Sequence, residues 1–193
     1  MTESKINSKS KCKSIHEKGQ YFTTNPYLKS KVFELIKNRP EKILEPSFGR
    51  GDLVSYVTNK NAEKGISTNF DLYEIDPTIE FLPDINKEQL NICDFLTCDI
   101  NTTYKTIIGN PPYVKTKHGN LYIDFIDKCY ELLENNGEIV FIVPSDFIKL
   151  SSSCKTINKM MDNGTFTDFI FPHKENLFTN ASIDVIFNFS INS

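Results

Sequence analysis

The chain has 193 residues, 39% of them hydrophobic and 24% charged, which is enough apolar material for a core and too much for a disordered tail. Its longest apolar run, Ile139–Val143, is strand-sized and far short of the roughly 20 residues a membrane-spanning helix needs. Met1–Lys13 is rich in Lys, Ser and Asn and lacks the apolar stretch of a secretory signal, so a secreted or helix-spanning protein is excluded and an intracellular, cytoplasmic location is expected.

The net charge of −3 argues against a strongly basic nucleic-acid binder, yet the charge is unevenly placed. Residues 1–42 hold ten Lys/Arg and four Asp/Glu, and the remainder holds twelve against twenty-one. A basic arm ahead of an acidic body can meet phosphates, or can simply be solvated. The five cysteines are odd in number and never spaced as CxxC, so incidental thiols in a reducing cytosol are expected rather than a disulfide framework. The three histidines, His16, His118 and His173, stand far apart, and no metal site is expected.

Residues 1–18 lack apolar periodicity and read as a flexible lead-in. Asn25–Asn38 carries Leu28, Val32, Leu35 and Ile36 at helical spacing, with Asn25 as N-cap and Pro26 at the first helical position. Next come a strand at Lys42–Glu45, a helix at Asp52–Ala62, and strands at Phe70–Ile75, Leu90–Phe95 and Thr106–Ile108. Asp124–Leu133 makes an amphipathic helix, Glu138–Val143 a buried strand, and Phe147–Met161 contains a helix. Two further strands, Phe166–Phe171 and Asp184–Ile191, end the pattern. Alternating strands and helices predict an α/β fold with a seven-stranded, mostly parallel sheet and helices on both faces. Residues 172–183 are too few for a crossover helix, so an antiparallel pair at one edge is expected, with the last strand reversed. Residues 19–193 read as a single domain.

In such sheets ligands bind at the carboxyl ends of the strands. After the first strand, Glu45-Pro46-Ser47-Phe48-Gly49-Arg50-Gly51-Asp52 places two glycines where a tight turn lets a ligand approach the backbone, although a plain strand–helix turn has the same look. The second strand ends in Tyr73-Glu74-Ile75-Asp76, where an acid can accept from both ribose hydroxyls or merely cap a helix. The third runs into Asp94-Phe95, able to accept from an adenine amine and flank its ring. The sharpest feature is Asn110-Pro111-Pro112-Tyr113. Two prolines stiffen the chain as it leaves the sheet, so the Asn110 amide oxygen and the Pro111 carbonyl become two acceptors on a rigid frame, fit for both hydrogens of a planar NH₂ group. Tyr113 would lie against the ring that carries the amine.

This ordered set resembles the S-adenosylmethionine-dependent N6-adenine DNA methyltransferases of gamma motif order. Gly19-Gln20-Tyr21-Phe22-Thr23 is similar to that family's N-terminal cofactor motif, Glu45–Gly51 to its main cofactor loop, and Asn110–Tyr113 to its catalytic tetrapeptide. The resemblance implies a Rossmann-like class I methyltransferase domain in which Tyr21, Thr23, Glu45, Gly49, Gly51, Glu74, Ile75, Asp94, Phe95 and Asn110 bind the cofactor. Asn110, Pro111, Pro112 and Tyr113 would then carry catalysis, without a metal. Phe178, before Asn180–Val185, resembles the family's aromatic that packs on the flipped base, while Lys115 and Lys117 can meet phosphates beside it, or belong to a solvated loop. Phe48 and Arg50 stand where the family's loop often has small residues. Members of this order usually add a C-terminal target-recognition domain. None is read in this sequence, so a protein partner that supplies recognition is one expectation. The tetrapeptide alone also suits a glutamine-amide or RNA-adenine methyltransferase, and a non-catalytic subunit of a methyltransferase complex is the alternative from a different class.

Overall fold

The computed structural model describes residues 21–38, 40–117, 119–172 and 184–191. Among these residues four α-helices, α1 (Pro26–Leu35), α2 (Asp52–Ala62), α3 (Leu121–Glu131) and α4 (Ser151–Met161), pack on a seven-stranded sheet. The strands are β1 (Lys42–Glu45), β2 (Asn69–Glu74), β3 (Leu90–Ile92), β4 (Tyr104–Gly109), β7 (Leu133–Pro144), β8 (Gly164–Ile170) and β9 (Asp184–Ile191), while β5 (Lys115–Thr116) and β6 (Gly119–Asn120) form a separate small hairpin. The order across the sheet is β3-β2-β1-β4-β7-β9-β8. All pairs are parallel except those of β9, which is antiparallel to β7 on one side and to β8 on the other. The sequence reading is met in the strand count, in the reversed last strand and in the antiparallel β9–β8 pair at one edge of the sheet.

Alternation along the central strands feeds two cores. Ile108, Val140, Ile142 and Ile186 face α1 and α2, where Leu28, Val32, Leu53 and Val57 wait. Ile107, Phe141, Val185 and Phe187 face α3 and α4, meeting Tyr122, Phe125, Ile126 and Met160. Asn25 caps α1 by accepting from the Tyr27 and Leu28 N–H groups, and Pro26 occupies the first turn as expected.

Element boundaries depart from the sequence reading where tertiary bonds intervene. β3 stops at Ile92, short of Phe95, because Asp94 bends the chain: its Oδ1 accepts the Leu96 N–H at 3.0 Å and its carbonyl accepts from Thr97 and Cys98. Helix α3 begins at Leu121 rather than Asp124, since the chain leaves the hairpin directly into it. The β5–β6 hairpin stands where a polar loop was read. The buried Glu138, on β7, is a tie point: its carboxyl accepts the Lys37 N–H, the Asn38 N–H at 2.8 Å and the Thr106 hydroxyl at 3.0 Å, pinning the end of α1 over β4.

Candidate active site

The carboxyl ends of β1, β2, β3 and β4 converge on a cavity of about 510 Å³. Gly49 (φ +59°) and Gly51 (φ +93°) turn the chain sharply after β1, conformations that L side chains rarely adopt. A Cβ on Gly51 would also lie 2.6 Å from the Phe48 ring. Phe48 itself packs beneath the turn against Phe81, and Arg50 forks onto Asp52 at 2.9 and 3.1 Å, so neither side chain enters the cavity. The Gly49 N–H donates to Glu74 Oε2 and the Asp76 N–H to Oε1, both at 2.8 Å. Glu74 is thereby fixed at the lip of β2, while burial pushes its carboxyl above the ordinary range against the pull of those two N–H bonds.

On the third side, Phe95 stacks on Phe125 (centroids 5.4 Å apart) and meets Tyr73 edge-on. Its turn is held by a residue that sequence reasoning missed. The Lys128 ammonium, reaching up from α3, donates to the carbonyls of Phe95 (2.6 Å), Leu96 (3.2 Å) and Cys98 (2.6 Å) and lies 5.0 Å from the centre of the Phe95 ring. Cys93 and Cys98 face each other across the same turn, with Cα atoms 6.9 Å apart, because the Asp94 bend brings together two residues five apart. Cys129 is buried and Cys154 exposed.

Asn110 closes the fourth side. Its Nδ2 donates to the Tyr21 carbonyl at 3.0 Å and to the Thr23 hydroxyl at 3.2 Å, which fixes the amide's orientation. Its Oδ1 is buried and has no hydrogen-bond partner among the described residues. An unsatisfied buried acceptor costs about 1–3 kcal/mol, so its persistence on a rigid prolyl frame marks a place for a donor. Tyr113 turns away from this cavity to line a second cleft, also of about 510 Å³, with Lys115, Tyr122, Asp146 and Ser152. Tyr21 lies against Tyr113 at 5.4 Å, between the two spaces.

The structure therefore gathers Tyr21, Gly49, Glu74, Ile75, Asp94, Phe95, Asn110 and Pro112 around one cavity. Thr23 and Glu45 line a small chamber of about 20 Å³ that shares Ser47, Gly49 and Asn110 with it. Gly51 and Pro111 lie behind the walls, and Lys117 is exposed on the hairpin. Gly19, Gln20, His118, Phe178 and residues 180–183 lie outside the described residues. Three acids, Glu74, Asp76 and Asp94, line the main cavity and, among the described residues, no Lys, Arg or His does. Such a field repels a nucleotide phosphate and suits a cationic ligand rich in hydroxyl and amino donors, the character of S-adenosylmethionine. Among the described residues no three His, Cys, Asp or Glu group to hold a metal ion, and no helix is long and apolar enough to cross a membrane.

The profile of the Eco57I restriction-modification methylases matches residues 29–178. The chain belongs to that family. It is 27% identical over 190 residues to the type II methyltransferase M.HincII of Haemophilus influenzae, covering 87% of this chain and 36% of that protein. It is 28% identical over 159 residues to the type II methyltransferase M.CvrRI of Paramecium bursaria Chlorella virus XZ-6E, covering 75% and 41%. The chain thus spans about a third to two-fifths of the length of these curated relatives. Among solved structures, a Listeria monocytogenes protein described as a class I S-adenosylmethionine-dependent methyltransferase superposes with a TM-score of 0.75 at 18% identity, over 88% of this chain and 61% of that one. The fold is accordingly that of the class I methyltransferases.

Within this family member, Glu45 has a strongly perturbed carboxyl. Burial holds it up at about 8 against the ordinary 4.5, with the Ser47 N–H and hydroxyl pulling the other way and Glu74 adding repulsion. Between those two values the folded chain keeps a proton that the unfolded chain has lost. Its contribution to stability is therefore intact at pH 4.5 and declines as pH rises towards 8. Glu45→Gln is expected to flatten that decline in a plot of urea midpoint against pH. An unchanged slope would trace it to another group.

Proposed function

We propose that the chain carries the catalytic centre of a DNA methyltransferase that moves the methyl group of S-adenosylmethionine to the N6 amine of adenine. The observation that carries this reading is the Asn110 amide, oriented by Tyr21 and Thr23 so that its bare Oδ1 is left for a donor. The cofactor supplies an electrophilic sulfonium methyl. Glu74 would take the ribose hydroxyls and Asp94 the adenine amine, with Ile75 and Phe95 to flank the ring; all four line the main cavity. Asn110 Oδ1 and the Pro111 carbonyl would accept the two N6 hydrogens of the target base. That favours a pyramidal nitrogen with its lone pair aimed at the methyl, so catalysis is orientation and electrostatics, with no nucleophilic side chain.

A base inside a duplex cannot reach this frame, so the target is flipped out, at a cost of a few kcal/mol. Stacking on Tyr113, in the second cleft, returns roughly 1–3 kcal/mol, and Phe178 is proposed for the other face. Lys115, on that cleft, and Lys117, exposed on the hairpin, would meet phosphates. Replacing both by Ala is expected to weaken DNA binding evenly across sequences and to lower the slope of log K against log salt by about 1–2, as phosphate contacts do. An unchanged slope would remove them from the interface. Lys128→Met is expected to release the Asp94–Cys98 turn and weaken cofactor binding about tenfold, some 1.4 kcal/mol, with little change in turnover at saturating cofactor. Unaltered affinity would make the lysine a packing residue only.

The test of the reading is an acceptor comparison. With labelled S-adenosylmethionine offered together with DNA, RNA or glutamine-bearing peptides, label is expected in DNA. Label confined to RNA or peptide would overturn the substrate assignment.

A further inference from the structure

Cys93 and Cys98 bracket the turn that carries Asp94 and Phe95, and both are half-buried. Cys93 itself lines the main cavity, beside Asp94, Phe95 and Leu96. The Asp94 carbonyl brings the pair face to face by accepting the Thr97 N–H at 3.1 Å and the Cys98 N–H at 3.0 Å. Their Cα separation of 6.9 Å lies at the outer end of what a disulfide spans. Neither of the other described cysteines belongs to such a pair, since Cys129 is buried on α3 and Cys154 is exposed on α4.

The residues between the two thiols differ in their freedom to move. Phe95 is 2% exposed, packed on Tyr73 and Phe125, and its carbonyl is held by Lys128. It is anchored to the core. Cys93, Asp94 and Leu96 are half-buried and form part of the cavity wall. A disulfide usually holds its Cα atoms about 5.5–6 Å apart, so closing one here contracts the turn by about 1 Å. With Phe95 fixed, the contraction falls on Asp94 and the wall beside it.

We propose that Cys93 and Cys98 form a reversible oxidation site for glutathione-class disulfides, and that closing their bond displaces Asp94 and weakens the hold on the cofactor. The site stands on the facing thiols, while its effect on the cofactor rests on the reading given under Proposed function. One cysteine thiolate attacks a sulfur of glutathione disulfide and expels one glutathione thiolate. The second cysteine thiolate then attacks the mixed disulfide and expels the other. The two thiols give up two protons and two electrons, and glutathione disulfide becomes two molecules of glutathione. Disulfides that solvent reaches are the labile ones, so excess glutathione runs the exchange backwards. Loss of one hydrogen bond to the adenine amine amounts to a rise in Kd of about tenfold.

The test equilibrates the full chain anaerobically with glutathione and its disulfide in varied ratio, followed by alkylation and trypsin digestion. Both cysteines fall in one peptide, residues 88–105, because Lys87 and Lys105 are the flanking cleavage sites. At the oxidising end that peptide should be unalkylated and lighter by two hydrogens, and the Kd for S-adenosylhomocysteine should rise about tenfold. Excess glutathione should restore both. The double variant Cys93→Ser with Cys98→Ser should bind equally at the two ends. If that variant does not fold, reversal on the unaltered chain decides. A peptide alkylated at every ratio, or one carrying only bound glutathione, would overturn the proposal. So would an affinity that holds or rises when the bond closes. Each of these results leaves the cofactor reading intact. Failure of the reduced chain to bind S-adenosylhomocysteine would overturn that reading and the effect assigned to the bond, with the peptide mass still deciding whether the bond forms.

Discussion

Asn110→Ala is expected to lower the rate of methyl transfer by about 10³-fold or more, while the Kd for S-adenosylmethionine changes only a few-fold. The substitution removes the only side-chain acceptor on the prolyl frame. Preorganised groups of this kind are worth about 10²–10³ each, and the loss of orientation at the attacking amine adds to that. The residues proposed for the cofactor's adenosine, Glu74 at the end of β2 and Asp94 in the turn after β3, are untouched by the change. The variant also frees the Tyr21 carbonyl and the Thr23 hydroxyl from Nδ2. Asn110→Asp sharpens the test, since it keeps an acceptor and loses the donor that orients it. Single-turnover kinetics beside equilibrium binding separate the two effects. Near-normal turnover in Asn110→Ala would contradict the assigned role.

The second large effect falls on stability. Glu138→Leu is expected to cost about 3–5 kcal/mol, seen as a lower urea midpoint with an unchanged slope, because it leaves the Lys37 N–H, the Asn38 N–H and the Thr106 hydroxyl unpaired at about 1–3 kcal/mol apiece. Glu138→Gln retains one acceptor oxygen in nearly the same shape and should cost much less. Because this carboxyl ties the end of α1 to β4, the same variant is expected to loosen the N-terminal segment that carries Tyr21 and Thr23. A Leu variant as stable as the parent would mean that water replaces all three bonds.

The sheet was legible because its strands are bounded by local chemistry. β1, α2 and β9 fall where apolar runs meet turn residues, and their limits match the sequence reading residue for residue. The glycine turn and the Asn-Pro-Pro-Tyr frame were legible for the same reason, since left-handed φ values and prolines write backbone conformation directly into residue type. What escaped depends on contacts across the chain. Lys128 looks like any helix-surface lysine until the Phe95 turn is folded over it. Glu138 lies a hundred residues from the N–H groups it accepts. The Cys93–Cys98 pair and the early end of β3 both follow from the Asp94 bend, and the β5–β6 hairpin is too short and polar to show a period. Phe48 and Arg50, which on the sequence flank Gly49 in the turn, are harmless there because one packs beneath the turn and the other pairs with Asp52.

The central claim, that one side-chain oxygen and one main-chain oxygen present an adenine amine for methylation, is tested most directly by locating the transferred group. DNA incubated with the chain and methyl-labelled S-adenosylmethionine, then digested to nucleosides, should carry its label in N6-methyldeoxyadenosine. Label on a ring carbon, label in cytosine alone, or a labelled cofactor recovered intact would contradict it.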